Sequence, residues 1–209
     1  MYLSRVKIND TLRNSRSALA NPQVMHALVA GCFDNTKERQ RPLWRIDTLS
    51  ATTYLLLVSL EKPDLSNLLS QLTLDDDQEA IIKEYDQFLS RIGNGDIFRF
   101  RLTANPVHSL MPKNGKSERG KIYGQVTVEQ QKSWLQKRSE KNGFELIHFD
   151  VASRGERNFK RNNETVTLTV ATFEGVLKVI DADALRQVLM QGLGRAKAYG
   201  CGLMTVARS

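Results

Sequence analysis

The chain has 209 residues, of which 41% are hydrophobic and 25% are charged, as in an ordinary globular protein of one large domain or two smaller ones. Its longest apolar run, residues 54–58, is far shorter than the roughly 20 residues needed to span a bilayer. Cys32 and Cys201 stand apart in the sequence, which fits neither a disulfide framework nor a zinc site. These features predict a cytoplasmic protein with no membrane segment and no metal.

The net charge of +7 is unevenly distributed along the chain. Residues 1–96 carry 11 Lys and Arg against 13 Asp and Glu, whereas residues 97–209 carry 19 against 10. A basic half beside a nearly neutral one predicts a localised surface for a polyanion, with a merely solubilising surface as the alternative.

The first half is predicted to contain, in order, a strand at 2–8, a helix at 22–33, strands at 43–47 and 53–60, and a helix at 63–72. The strand at 53–60 is nearly continuously apolar, which predicts a central position in a sheet. Asn21 and Pro22 form a typical helix start. Residues 11–20 look irregular, and the acidic segment 73–79 looks like a solvated loop. Residues 81–92 fit either a helix or a strand. We choose an edge strand, which would then give a β-α-β-β-α-β order ending at the turn 93–95.

The second half is predicted to repeat this order, with strands at 97–103, 144–152, 166–179 and 203–206 and helices at 128–142 and from Asp181 onward. The strand at 97–103 alternates cleanly, the strand at 166–179 is predicted to be interrupted at 174–175, and Asp181 is predicted to cap the last helix. Two basic loops interrupt it, at 108–123 and 154–163; a loop as long as the first is either functional or disordered. The predicted fold is therefore α+β, with two tandem ferredoxin-like (RRM-like) domains with antiparallel sheets, residues 1–93 and 94–209.

A glycine-rich loop lies between the last helix and the last strand, at Gly192, Gly194, Gly200 and Gly202. With Arg195 and Lys197 inserted, such a loop could bind an anion through exposed N–H groups. The alternative is a tight connection that needs glycine only for its geometry. The loop follows a helix, so it is neither a Walker loop nor a dinucleotide-binding turn.

Three segments carry a family resemblance: the pattern Gly-x-Gly-x-x-Lys-x-x-Gly-x-Gly-Leu at 192–203 behind Phe-Glu-Gly-Val-Leu at 173–177, the phrase FRFRLTANP at 98–106, and Met25-His26 in the first helix. Together they resemble the CasE endoribonucleases, CRISPR-associated RNA-processing subunits of the Cascade complex. The resemblance implies that His26 is catalytic. It also implies that the partners are the hairpin of the CRISPR repeat RNA, in precursor and processed form, and other Cascade subunits.

The sequence has no HExxH motif for zinc hydrolysis and no GxSxG motif for an acyl-transfer serine. Excluding these two enzyme classes leaves the RNA-cutting activity open. RNA can be cut without a metal or cofactor when its own 2′-OH attacks the adjacent phosphate, leaving a 2′,3′-cyclic phosphate. The resemblance implies this mechanism at the 3′ base of the hairpin stem, with the product kept bound. Cations available for the RNA are Arg154, Arg157, Lys160, Arg161, Arg195 and Lys197, and, in the long segment, Lys113, Lys116, Arg119 and Lys121.

One position departs from the family pattern. Many family members carry a tyrosine three residues before the histidine, where this chain has Gln23, whose amide cannot exchange protons. Either His26 acts without a phenol, or another tyrosine substitutes, or the enzyme is slow. There are two alternative functions. The first is a non-catalytic subunit that holds the repeat hairpin. The second, ranked below it, is an enzyme that binds a phosphate ligand at the glycine loop.

Overall fold

The computed structural model describes residues 1–34, 41–74, 80–110, 121–162 and 164–208. It contains two four-stranded antiparallel sheets with helices, which is an α+β architecture. Within the described residues, no helix is long and apolar enough to cross a membrane.

The first sheet has the strand order β2-β3-β1-β4. Its strands are β1 (Tyr2–Ile8), β2 (Leu43–Leu49), β3 (Thr52–Ser59) and β4 (Ala80–Glu84). The accompanying helices are α1 (Arg13–Ala20), α2 (Pro22–Ala30), α3 (Ser66–Leu72) and α4 (Asp86–Ser90). The apolar strand predicted at 53–60 is indeed interior, since β3 pairs with both β1 and β2.

Two predictions in the first half need correction. The segment 11–20 is not irregular: its residues 13–20 form α1, which buries Ala18 and is held by a hydrogen bond from Ser15 Oγ to the Leu72 carbonyl at 3.2 Å. The strand chosen for 81–92 covers only β4, because the chain then turns into α4 and buries Leu89 and Ile92. Tertiary packing decided both segments. Helix α2 also ends at Ala30, three residues earlier than expected.

The second sheet has the order β10-β5-β9-β8, the same arrangement of first, second, third and fourth strands as in the first sheet. Its strands are β5 (Ile97–Ala104), β8 (Phe144–Arg161), β9 (Glu164–Val179) and β10 (Met204–Arg208). Helices α5 (Val128–Ser139) and α6 (Ala182–Gln191) complete the unit, and β6 (Val107–Leu110) pairs with β7 (Lys121–Gly124) in a separate hairpin. The two repeated orders confirm the predicted ferredoxin-like fold.

The predicted basic loop at 154–163 is wrong for most of its length, because residues up to Arg161 continue β8 and pair with β9. Strand β9 is likewise continuous through Gly175, where an added Cβ would lie 2.2 Å from the His148 carbonyl oxygen beside a β-bulge. Glycine is therefore required there by close strand approach, and it does not interrupt the strand. The predicted long loop at 108–123 begins and ends in the β6–β7 hairpin, and residues 111–120 lie outside the described residues.

The two sheets are joined through a buried ion pair. Arg45 on β2 binds Asp47 through two hydrogen bonds of 2.8 and 2.7 Å, and also donates to the carbonyls of Arg101 and Leu203. Helix α4 also links the two halves, since its residue Leu89 packs in the core of the second sheet. The division at 93/94 falls between the two sheets and stays a prediction.

Candidate active site

Helix α2 places His26 at the boundary between the two halves. Asn21 caps the helix by accepting a hydrogen bond from the Gln23 backbone N–H at 3.0 Å. Met25 and Val29 are buried in the core of the first half, so the helix is fixed in rotation. His26, on a different azimuth, is half-buried and faces the end of the glycine loop.

Tyr199 is the residue of the glycine loop that meets His26. It ends a short 3-10 helix, Lys197–Tyr199, and its ring lies 6.3 Å from the imidazole in an edge arrangement. On the other side the Tyr199 ring contacts Phe159 of β8 at 4.6 Å. Arg157 donates to the Tyr199 carbonyl at 3.2 Å, so β8 holds this part of the loop in place.

The environment of His26 favours the neutral imidazole. Burial lowers the pKa of His26 from its ordinary value of 6.5, and the positive charge of Arg161 lowers it further. A neutral imidazole at pH 7 can accept a proton, and a guanidinium beside it can bind an oxyanion.

Strand alternation divides the four predicted cations of β8 between two faces. Arg157 and Arg161 share a face with Phe159, which packs against Tyr199. Arg154 and Lys160 lie on the opposite face, where Arg154 donates to the Val126 carbonyl at 2.8 Å. The structure therefore brings Arg157 and Arg161 to the His26 site and leaves Arg154 and Lys160 away from it.

The four loop glycines all have positive φ. A Cβ on Gly200 would lie 2.6 Å from the Trp44 ring, and one on Gly192 would lie 2.8 Å from Leu43. A Cβ on Gly194 would lie 3.0 Å from the Trp134 ring, and one on Gly202 would lie 3.0 Å from a backbone oxygen. Positive φ accounts for all four glycines, and close packing adds to it, on tryptophan at Gly194 and Gly200 and on Leu43 or backbone at the other two. Anion binding by the loop N–H groups stays a prediction.

The two cations of the glycine loop, Arg195 and Lys197, lie in different surroundings. Lys197 is half-buried, and burial lowers its pKa, with the charge of Arg41 acting in the same direction. Arg195 is exposed and lines a cavity beside Trp134, among residues that do not include His26. Lys121 begins the exposed strand β7. Lys113, Lys116 and Arg119 lie outside the described residues.

Gln23 is half-buried on α2, and its Oε1 has no hydrogen-bond partner among the described residues. Tyr199 was missed as a site residue because it stands 173 positions after His26 in a motif that drew attention for its glycines. No local signal in the sequence marks it, because its place in the site depends on a long-range contact with α2. Among the described residues, no three His, Cys, Asp or Glu side chains are placed to hold a metal ion.

Two ferredoxin-like sheets, with a helix-borne histidine facing a glycine-rich loop, define a tandem ferredoxin-like protein whose candidate site combines an imidazole with arginines. The chain belongs to the CRISPR-associated proteins: the family described as "CRISPR associated protein" matches residues 1–208.

Named relatives agree with this assignment. The chain is 28% identical over 223 residues to the CRISPR-associated endoribonuclease Cse3 of Thermus thermophilus, covering 99% of this chain and 100% of the relative. It is 30% identical over 113 residues to the Cascade subunit CasE of Escherichia coli, covering 52% of this chain and 56% of that protein. A structure of Cse3 bound to a 19-nucleotide RNA superimposes with a TM-score of 0.83 at 26% identity, over 99% of this chain and 100% of that one.

Proposed function

We propose that this protein is an endoribonuclease that processes CRISPR RNA, cutting the repeat hairpin at the 3′ base of its stem without a metal ion and keeping the product bound. The observation that carries the proposal is the position of His26, half-buried where α2 faces the glycine loop and within the field of the Arg161 guanidinium. The similarity to Cse3, an endoribonuclease that has been captured on RNA representing a pre-cleavage complex, supports the same activity here.

In the proposed reaction His26 is the general base. Its neutral imidazole accepts the proton of the 2′-OH, the 2′-oxygen bonds to the adjacent phosphorus, and the bond to the 5′-oxygen breaks. The products are a 2′,3′-cyclic phosphate and, after the departing oxygen takes up a proton, a 5′-OH. Such proton transfer typically contributes 10²–10⁴-fold to a rate.

Arg161 stabilises the negative charge that develops on the phosphate. Arg161 shares a face of β8 with Phe159, which packs against Tyr199, and its charge lowers the pKa of His26, so we place the scissile phosphate between Arg161 and the imidazole. Arg157 supports the site indirectly, by holding the Tyr199 carbonyl. The remaining cations of the basic half bind the RNA backbone, which is how double-stranded RNA is mainly recognised.

The second candidate is a non-catalytic subunit that holds the hairpin, and it is favoured by Gln23, whose amide cannot exchange protons. In both cases we propose that the partners are the repeat hairpin and, as the relative named as a Cascade subunit suggests, other Cascade proteins.

The test is single-turnover incubation with repeat RNA in EDTA, with end-group analysis of the products. We expect one cut at the base of the stem, leaving a 2′,3′-cyclic phosphate. An RNA with a single 2′-deoxy nucleotide before the scissile phosphate should bind equally and stay intact. Cutting of that RNA, or cutting only with added Mg²⁺, would contradict the mechanism, and binding without any cutting would favour the second candidate.

A further inference from the structure

The glycine loop of the second half packs against both faces of β2, an edge strand of the first sheet. A Cβ on Gly192 would lie 2.8 Å from a methyl group of Leu43, and a Cβ on Gly200 would lie 2.6 Å from the ring of Trp44. Successive residues of a strand point to opposite faces, and accordingly Leu43 packs in the core of the second sheet and Trp44 in the core of the first. The loop is therefore seated on β2 by contacts with two neighbouring side chains.

The contact at Trp44 is made by the six-membered part of the indole. Its atoms Cζ3, Cη2 and Cε3 lie 2.6, 2.9 and 3.1 Å from the position that a Cβ on Gly200 would take. Trp44 is 2% exposed, and its indole N–H has no hydrogen-bond partner among the described residues, so packing fixes the ring. Close-packed interiors transmit small displacements, so this ring determines how closely the loop approaches β2 at Gly200.

Gly200 directly follows Tyr199, whose ring meets the imidazole of His26. From the opposite half, Arg157 of β8 holds the Tyr199 carbonyl. This turn of the loop is thus fixed between β8 on one side and Trp44 on the other.

We propose that Trp44 is a positioning residue of the candidate active site: through the backbone of Gly200, it holds Tyr199 against His26. The effect on cutting rests on the proposed function, whereas the effect on His26 itself is measurable without RNA.

Gly200→Ala tests the contact from the side of the loop. Alanine can adopt a left-handed backbone here, as Ala196 does in the same loop with φ 61°, but its Cβ cannot remain 2.6 Å from Trp44, so the loop must move away from β2. We expect the pKa of His26, measured by NMR titration without RNA, to rise toward 6.5 as the imidazole loses burial. Single-turnover cutting of repeat RNA should slow at least tenfold, with hairpin affinity within a few-fold, as for a displaced reacting group.

Trp44→Phe tests the same contact from the side of the core. It removes the indole atoms that touch Gly200 and keeps an aromatic ring in the first core, so on its own it leaves a gap and should also raise the pKa of His26. Combined with Gly200→Ala, the gap accommodates the added methyl group. The double variant should therefore be closer to the unmodified protein than either single variant, in both pKa and cutting rate, because changes at residues in contact are not additive.

Leu55→Ala is the control for a general loss of stability. Leu55 of β3 is 0% exposed in the same core as Trp44, and the nearest atoms to the four loop glycines belong to other residues. This variant should melt at a lower temperature and leave the pKa of His26 unchanged.

The proposal is overturned if Gly200→Ala or Trp44→Phe leaves the pKa of His26 unchanged, and either variant decides this alone if the other does not fold. It is also overturned if the two changes add instead of compensating, or if Leu55→Ala shifts the pKa equally. An unmodified protein that binds repeat RNA without cutting it would contradict the proposed function, while the pKa measurements would still test the role of Trp44.

Discussion

The imidazole of His26 meets the ring of Tyr199 edge-on, with ring centroids 6.3 Å apart and planes inclined at 65°. One residue comes from the first sheet's helix α2 and the other from the glycine loop, so this contact exists only when the two halves are assembled. The Tyr199 ring packs against the imidazole, and burial lowers the pKa of His26.

Tyr199 is therefore expected to act through its ring. Tyr199→Phe keeps the contacts with His26 and Phe159, and should cut RNA within about threefold of the unmodified rate. Tyr199→Ala exposes the imidazole, so the pKa of His26 should rise toward 6.5, as measured by NMR titration, and cutting should slow at least tenfold, as expected for a lost positioning group. If Tyr199→Phe is as slow as Tyr199→Ala, the phenol hydroxyl takes part directly.

Arg161 is expected to lower the pKa of His26 through its charge. Arg161→Gln removes that charge, which favours the imidazolium, so the pKa of His26 should rise. The variant should also lose one phosphate contact, reducing the slope of log affinity against log salt by about 0.7–0.9.

Lys160→Gln is the matched control for Arg161→Gln, because it changes the adjacent residue on the opposite face of β8. It should leave the pKa of His26 unchanged. Equal pKa shifts in the two variants would contradict the assignment of faces.

Gln23 lies about one helical turn before His26, so its side chain is within reach of the same substrate atoms. We expect Gln23→Tyr to leave RNA binding unchanged and to raise the single-turnover rate by about tenfold, below the usual 10²–10⁴-fold of an acid–base group because the surroundings are not adapted to a phenol. Gln23→Leu is the control without an exchangeable proton. An unchanged or lower rate in a folded Gln23→Tyr protein would show that the site is arranged to work without tyrosine.

Arg45 is expected to hold the two sheets together. Arg45→Met leaves the buried Asp47 with Arg101, at 3.4 Å, as its one remaining ion-pair partner among the described residues, so the free energy of unfolding in urea should fall by about 3 kcal/mol. The exposed Arg99→Met on β5 should change it by less than about 0.5 kcal/mol. The double variant Arg45→Met, Asp47→Leu should recover part of the loss; no loss in the single variant would contradict the bridging role.

The sequence predicted the fold well where periodicity and caps were strong. The alternation of β5, the Asn21 and Asp181 caps and the interior position of β3 were all correct. It failed where tertiary contacts outweigh local preference: polar residues 13–20 form a helix because one face is buried, and the basic segment up to Arg161 is strand because β9 pairs with it.

The site was predictable in part. A resemblance pointed to His26, and composition pointed to the basic half, but the sequence could not show which arginines share a face with the histidine. That depends on the phase of β8, which a bulge between Val151 and Ser153 shifts. Tyr199 depended on how the glycine loop crosses back to α2, a long-range contact without a local signal.

The most direct test of the central claim is single-turnover cutting of repeat hairpin RNA in EDTA by His26→Ala, with binding measured on the same samples. We expect cutting to fall by at least 10²-fold, as for loss of a general base, while hairpin affinity stays within a few-fold. His148→Ala, which removes an exposed histidine elsewhere on the second sheet, should cut at the unmodified rate. Undiminished cutting by His26→Ala would contradict the account.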